Sequence, residues 1–449
     1  MSLPRAADPA REVAYEALRA VREDDAYANL VMPSLLAPLG TRDAAFATEL
    51  VYGTLRARGS YDEILARCVT RPLEKLDPRV LDVLRLGAHQ LLGMRVAAHA
   101  AVDSSVKLVR AKVGHGPAGL VNAVLRKVAG RDLEGWLAAV APTSESDPVG
   151  RLAVTQSHPR WVVEAFRDAL GGDLAETETA LAADNERPVV TLVARPGKVD
   201  LAELFALGAR PGRWSPVAAV LESGGSPSAL PPVRENRAGV QDEGSQLVAL
   251  ALAAAPIEGR DERWLDMCAG PGGKAALLGA LAEQRGARVV AAELQPHRAR
   301  LVARAVGSSA VTVVADGTAP AWAPGAFDRV LVDAPCTGLG ALRRRPEARW
   351  RRRPSDVDSL HPLQISLLRS AIESVRPGGV VAYVTCSPHV RETRDVVREV
   401  LGPDVERVDA RPFLPGVAAL GDGPDVQLWP HLHGTDAMYL TLLRKRPSG

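Results

Sequence analysis

The chain has 449 residues, is 47% hydrophobic and 24% charged, and carries a formal net charge of +2. That composition excludes a disordered or fibrous protein, and at about 150 residues per domain the length predicts two or three domains. Cys68, Cys268, Cys336 and Cys386 have neither metal-ligand spacing nor the density of a disulfide scaffold, so reduced thiols and no metal are expected.

The opening Met1-Ser2-Leu3-Pro4-Arg5-Ala6 has no apolar signal core, which predicts a cytoplasmic location. From Asp8 to about Ala139 apolar residues recur at helical spacing, as in Val13, Ala17, Leu18 and Val21 and again in Leu81, Leu84, Leu86 and Leu91. No strand pattern interrupts them, so residues 1–140 are expected to form an all-α unit. Ala141-Pro142-Thr143-Ser144-Glu145-Ser146-Asp147-Pro148 reads as a linker. Over residues 150–235, an amphipathic helix around Trp161, Val162, Ala165 and Phe166, the β-branched run Val189–Val193 and proline-punctuated segments predict a small α+β module.

From residue 236 to 449 strand and helix alternate, the pattern of a doubly wound α/β domain with a mostly parallel sheet. The apolar run Leu247–Ala255 falls far short of the roughly 20 residues a membrane span needs, so no membrane is expected. Strands are predicted at Arg263–Met267, Arg288–Ala292, Val311–Val314, Asp328–Val332 and Gly379–Thr385, with Met438–Leu443 as a late edge strand. Helices are predicted at Gly273–Ala282, Pro296–Val306, Pro362–Val375 and Glu392–Leu401. Ligands of such folds sit at the carboxyl ends of the strands.

The first of those ends carries Asp266-Met267-Cys268-Ala269-Gly270-Pro271-Gly272-Gly273-Lys274. Its glycines let backbone approach a ligand closely and aim helix N–H groups at it. The spacing fits neither Gly-x-x-x-x-Gly-Lys-Ser/Thr nor Gly-x-Gly-x-x-Gly, which disfavours a phosphate loop and a dinucleotide loop. Glu293 ends the next strand, where an acid accepts both ribose hydroxyls, and Asp316 follows the third, where a carboxylate accepts an adenine amino group. Together they predict a nucleoside pocket.

Cys336 and Cys386 lie in the turns Asp333-Ala334-Pro335-Cys336 and Thr385-Cys386-Ser387, each after an apolar strand; Cys68 and Cys268 read as packing or turn residues. A thiol pair suits a ring that must be activated covalently. Carbon 5 of a pyrimidine takes no methyl group until a nucleophile adds at carbon 6, and a second group must then remove the carbon-5 proton. An unperturbed thiol, with a pKa of about 8.5, is mostly protonated at neutrality, so such a site must lower that value or take the proton. Just beyond Cys336, the seven arginines between Arg343 and Arg353 surround Pro346, Glu347 and Trp350. They read either as a phosphate-holding, base-stacking cluster or as a solvated face.

Phe46–Arg56 and Gly119–Arg126 resemble stretches of a NusB-like helical RNA-binding domain. The trio Asp266–Lys274, Asp333–Gly338 and Thr385–Ser387, with Val240–Gln246 ahead of it, resembles the RNA (cytosine-5) methyltransferases of the Fmu/Sun type; with the NusB-like front end it is similar to their 16S rRNA-directed RsmB subgroup. The resemblance implies a class I methyltransferase domain, S-adenosylmethionine as cofactor and RNA, first of all 16S rRNA, as partner. By it Cys386 is the nucleophile, Cys336 assists breakdown of the adduct, Asp333 protonates or hydrogen-bonds cytosine N3, and Lys274 helps hold the base. The stretch Cys268, Ala269, Gly270, Pro271, Gly272, Gly273 and Lys274, with Glu293, Asp316 and Asp333, would hold the cofactor. The chain departs from the family pattern at Thr393, where asparagine usually follows the acid, at Ala437-Met438-Tyr439 in place of Gly-Phe-Phe, and at Leu192-Val193-Ala194-Arg195 in place of Leu-Arg-Val-Asn. A monomer is expected. Two other readings stay open: the same chemistry on tRNA or another rRNA, and a non-catalytic RNA-binding assembly or antitermination factor.

Overall fold

The computed structural model describes residues 8–222 and 227–447; Met1–Ala6, read above for a signal, lies outside them. The chain forms two compact units, one running to Glu186 and including Leu342–Arg351, the other comprising Arg187–Ala341 and the chain from Arg352 on.

The first unit is helical. Its helices begin where side chains satisfy their free N–H groups: Asp8 caps Pro9–Glu23 and Asp77 caps Pro78–Leu92, each with proline in the first turn. The two stretches that resemble a NusB-like domain lie in Thr41–Arg56 and Ala118–Val128, whose Leu50, Val51, Val121 and Leu125 are buried with Leu84, Leu86 and Leu108 in one core. Pro148–Thr155, Arg160–Ala169 and Leu174–Ala183 belong to this unit as well, so the divide falls at Glu186 rather than in the Pro/Ser-rich stretch. That stretch is a helix connection. Asp147 caps the next helix through the Gly150 amide, and hydrogen bonds from Ser60 Oγ to the Val154 carbonyl (2.6 Å) and from the Gly59 amide to Ser157 Oγ (2.9 Å) tie the added helices to Arg58–Cys68.

Leu342–Arg351 also packs within this unit, which overturns the expectation of a phosphate-holding or solvated face for Arg349 and Arg351, while Arg345 and Arg353 are exposed. Arg349 is completely buried, and its Nη1 donates to the carbonyls of Arg56 and Ser157 and to Asn185 Oδ1, its Nη2 to the Asp184 carbonyl. Arg351 donates to the carbonyls of Val21, Asp25 and Ala26. The Trp350 ring lies where a Cβ on Gly59 would meet it at 2.4 Å. These groups close the helical unit from inside.

The second unit begins with a small antiparallel sheet of β1 (Val190–Ala194), β2 (Ala209–Pro211), β3 (Ala218–Leu221) and β4 (Ala238–Val240), in the order β2-β3-β1-β4. The large sheet follows, with β5 (Arg263–Asp266), β6 (Arg288–Glu293), β7 (Ala310–Val314), β8 (Phe327–Asp333), β9 (Val375–Thr385), β10 (Val405–Val408), β11 (Val426–Gln427) and β12 (Tyr439–Lys445). Its order is β7-β6-β5-β8-β9-β12-β10, with β11 on β12. Strands β5 to β9 pair in parallel, and β12 runs antiparallel between β9 and β10. The late strand is therefore interior, not an edge. The edge is β10, whose Val-Glu-Arg-Val alternation carries too little apolar signal to read as a strand.

Alternation along β8 sends Val330 and Val332 to one core and Leu331 to the other, so both faces of the sheet are covered. Strand β5 lies between β6 and β8, the point where connections leave in opposite directions and a crevice opens at the carboxyl ends. Two helix starts differ from expectation. The helix expected from Pro362 begins at Pro354 and carries Pro362 inside it; the one expected from Glu392 begins at Arg394, because Glu392 is buried in a preceding short turn. Among the described residues no helix is long and apolar enough to cross a membrane.

Candidate active site

Past Asp266 the chain turns through Met267–Gly272 into the helix Gly273–Glu283. Gly272 has φ +113°, and a Cβ there would lie 2.6 Å from that of Ala305, so the position demands glycine. At Gly270 a Cβ would lie 2.2 Å from Glu293 Oε2; with none, the Gly270 amide donates to that oxygen at 3.1 Å. Glu293, at the end of β6, accepts from the Gln295 amide through its other oxygen at 2.9 Å. Asp316, two residues beyond β7, is exposed and accepts from the Thr318 amide and hydroxyl through Oδ1, which holds its pKa below the ordinary carboxylate value. Asp266 is completely buried, with the Cys268 backbone amide as a polar group that favours its charged form. Burial, then the charge of Asp333, pushes its pKa up to about 8.

Two of the four cysteines meet. Adjacent parallel strands deliver them: β8 and β9 pair Asp333 with Val384, and the turns that follow bring Cys336 and Cys386 to a sulfur–sulfur distance of 3.4 Å, both half-buried. The hydrogen bond from Cys336 holds the Cys386 thiol below its ordinary pKa against the effect of burial, with the charge of Lys274 helping. The same hydrogen bond, then burial and the charges of Cys386, Glu392 and Asp333, push Cys336 far up. Across one short contact the two thiols therefore shift in opposite directions, Cys386 down and Cys336 up. Lys274 Nζ donates to Asp333 Oδ2 at 2.8 Å. Burial disfavours its charge, but Asp333 outweighs burial and raises its pKa. Cys68 lies in the helical core, and burial raises the thiol of Cys268 in the glycine loop.

What holds the thiol turns in place escaped the sequence reading. Glu392 is fully buried and accepts from the Thr337 amide (2.7 Å) and hydroxyl (2.5 Å) beside Cys336, and from the Ser387 hydroxyl (2.6 Å) beside Cys386. Gln364 joins it, donating to the Pro335 carbonyl at 2.8 Å and to Glu392 Oε1 at 3.3 Å. Gly340 completes the frame: its amide donates to the Cys386 carbonyl at 2.9 Å, and a Cβ would lie 2.2 Å from the Ala437 carbonyl oxygen. In the sequence, Glu392 stands out only as the acid that the family pattern keeps after Thr385-Cys386-Ser387, with no role attached, and an acid opening a surface helix looks the same.

A family model described as 16S rRNA methyltransferase RsmB/F matches residues 251–444, and a NusB family model matches residues 8–130. The ribosomal RNA small subunit methyltransferase B of Pseudomonas putida is 32% identical over 448 residues, covering 97% of this chain and 98% of that protein. The chain belongs to the 16S rRNA methyltransferase RsmB/F family. Rv1407 of Mycobacterium tuberculosis is 54% identical over 447 residues, covering 98% of this chain and 97% of its own. Among solved structures, PH0851 superposes with a TM-score of 0.78 at 21% identity over 99% of this chain and 100% of its own; a methyltransferase homologue of Pyrococcus horikoshii gives 0.54 at 22% over 67% and 99%. Both share the fold. As a member of the RsmB/F family the chain is an S-adenosylmethionine-dependent methyltransferase. The residues at the ends of β5 to β7 fit that cofactor: a glycine turn whose close approach any Cβ would block, and carboxylates at Glu293 and Asp316 with acceptor capacity to spare for a sugar and a base.

Proposed function

We propose that the protein methylates carbon 5 of a cytosine in 16S rRNA through a covalent Cys386–cytosine adduct. The observation that carries this reading is the thiol pair, 3.4 Å apart and oppositely shifted, beyond the carboxyl ends of β8 and β9. In the same reading the backbone from Cys268 to Lys274, Glu293 on the ribose and Asp316 on the adenine hold S-adenosylmethionine, with Asp333 closing the pocket.

The Cys386 thiolate adds to carbon 6 and the carbon 5–carbon 6 electron pair shifts to carbon 5, where it becomes nucleophilic. Lys274 donates to Asp333, and in this reading a proton passes from Lys274 through Asp333 to N3 as negative charge develops in the ring, then returns by the same path when Cys386 leaves. S-adenosylmethionine supplies an electrophilic methyl group on a sulfonium, to be taken by carbon 5. Once the Cys386 sulfur is bonded to carbon it no longer accepts a hydrogen bond from Cys336, and the largest cause of the raised Cys336 pKa is gone. Cys336 then gives up its proton to solvent and, as a thiolate, takes the proton from carbon 5. The carbon 6–sulfur bond breaks, the ring regains its double bond, and Cys386 leaves as the thiolate. The reacting base must be unpaired or flipped out, because carbon 6 has to reach a half-buried sulfur.

Nucleoside analysis of unmodified 16S rRNA after incubation with protein and labelled S-adenosylmethionine tests the reaction. Label in 5-methylcytidine is the expected result; label in any other nucleoside, or none in 16S rRNA while another RNA is methylated, contradicts it.

A further inference from the structure

The geometry points to Glu392 as the positioning residue of the thiol pair: by accepting hydrogen bonds from both cysteine turns it keeps the shared proton on Cys336 and so makes Cys386 the nucleophile. This rests on the roles proposed above for the two cysteines. The Glu392 carboxylate meets four donors, namely the Thr337 amide and hydroxyl, the Ser387 hydroxyl and the Gln364 amide. An acceptor-only carboxylate matches that set, whereas a glutamine would turn an NH2 toward donors. Thr337 and Ser387 directly follow the two cysteines, so Glu392 fixes the separation of the sulfurs through one residue on each side.

The charges around the pair act unequally on the two sulfurs. Asp333 faces both thiols and raises both, so it does not discriminate. Lys274 favours the thiolate at Cys386 and Asp436 opposes it. The charge of Glu392 acts on Cys336, with Tyr383 and Cys268 as the neutral groups nearby. Its carboxylate takes two hydrogen bonds from Thr337, beside Cys336, and one from Ser387, beside Cys386.

The test is alkylation of the full chain by iodoacetamide, with rates at Cys336 and Cys386 read by mass spectrometry from neutral to alkaline pH, in wild type, Glu392→Gln and Glu392→Asp. Wild type is expected to react faster at Cys386; Glu392→Gln lowers the Cys386 to Cys336 rate ratio about tenfold, the equivalent of one pKa unit, and Glu392→Asp, which keeps the charge, recovers part of it. In methyl transfer Glu392→Gln lowers kcat and leaves KM for RNA unchanged. A folded Glu392→Gln with the wild-type ratio overturns the inference. If that variant does not fold, Thr337→Val and Ser387→Ala each remove one donor and must each lower the ratio; an unchanged ratio in both overturns it equally. Alkylation needs neither RNA nor cofactor, so a failure of the proposed reaction leaves this measurement decisive on its own.

Discussion

Arg349 in the helical unit and Lys274 in the sheet unit are both cations withdrawn from water, but their surroundings differ in kind. Arg349 spends its terminal nitrogens on three main-chain carbonyls and the Asn185 side chain, and burial drops its pKa to about 10. Lys274 has one close partner, Asp333, and stands beside two half-buried thiols 3.4 Å apart. The difference teaches that a dense run of charge in a sequence is not by itself a binding site. A site keeps donors, acceptors or a displaceable proton available, and a structural cluster saturates them within the chain.

Mutation of the saturated cluster sharpens the contrast most. Arg349→Met removes the guanidinium donor from four acceptors and should destabilise the protein by about 3 kcal/mol, read as a lower denaturation midpoint, with RNA affinity unchanged at temperatures where the variant is folded. Weaker RNA binding by a stable variant would break the comparison, because it would return Arg349 to a phosphate role.

Asp266 gives a smaller effect with a defined sign. Its folded pKa of about 8 lies above the ordinary 3.8, so the folded chain holds a proton that the unfolded chain releases across that window. Stability from this group is therefore full at acid pH and is lost as pH rises toward the folded value. Asp266→Asn removes the dependence, and its melting temperature relative to wild type should rise steadily from acid to mildly alkaline pH. A constant difference across the window would contradict the buried, proton-holding carboxylate.

Cys336→Ala deletes the hydrogen bond that is the largest cause of the low Cys386 pKa, so the pH midpoint for alkylation of Cys386 should move up. A midpoint that stays put would leave the thiols uncoupled. The smallest effect belongs to Arg345, an exposed member of the same arginine run that lies 5.0 Å over the Tyr27 ring. Arg345→Ala should cost about 0.5 kcal/mol or less in stability, and a loss as large as that of Arg349→Met would erase the distinction between exposed and caged arginines.

The parts legible in the sequence were those whose physics is local. The glycine turn at Gly270–Gly273 follows from close approach and positive φ, and the parallel strands from unbroken apolar runs such as Val330–Val332. The position of β12 was not legible, because strand order depends on partners far away in the chain. Glu392 was hidden for the same reason: an acid at a helix start looks exposed until Thr337, 55 residues upstream, donates to it. Nor does an arginine run reveal whether its donors meet solvent or the chain's own carbonyls, as at Arg349.

The most direct test of the covalent mechanism is a denaturing gel of wild type, Cys336→Ala and Cys386→Ala after incubation with S-adenosylmethionine and unmodified 16S rRNA. A protein–RNA band in Cys336→Ala alone, lost when Cys386 is also replaced, is the predicted result. A band in Cys386→Ala, or none in Cys336→Ala while wild type methylates the same RNA, would contradict the roles given to the two sulfurs.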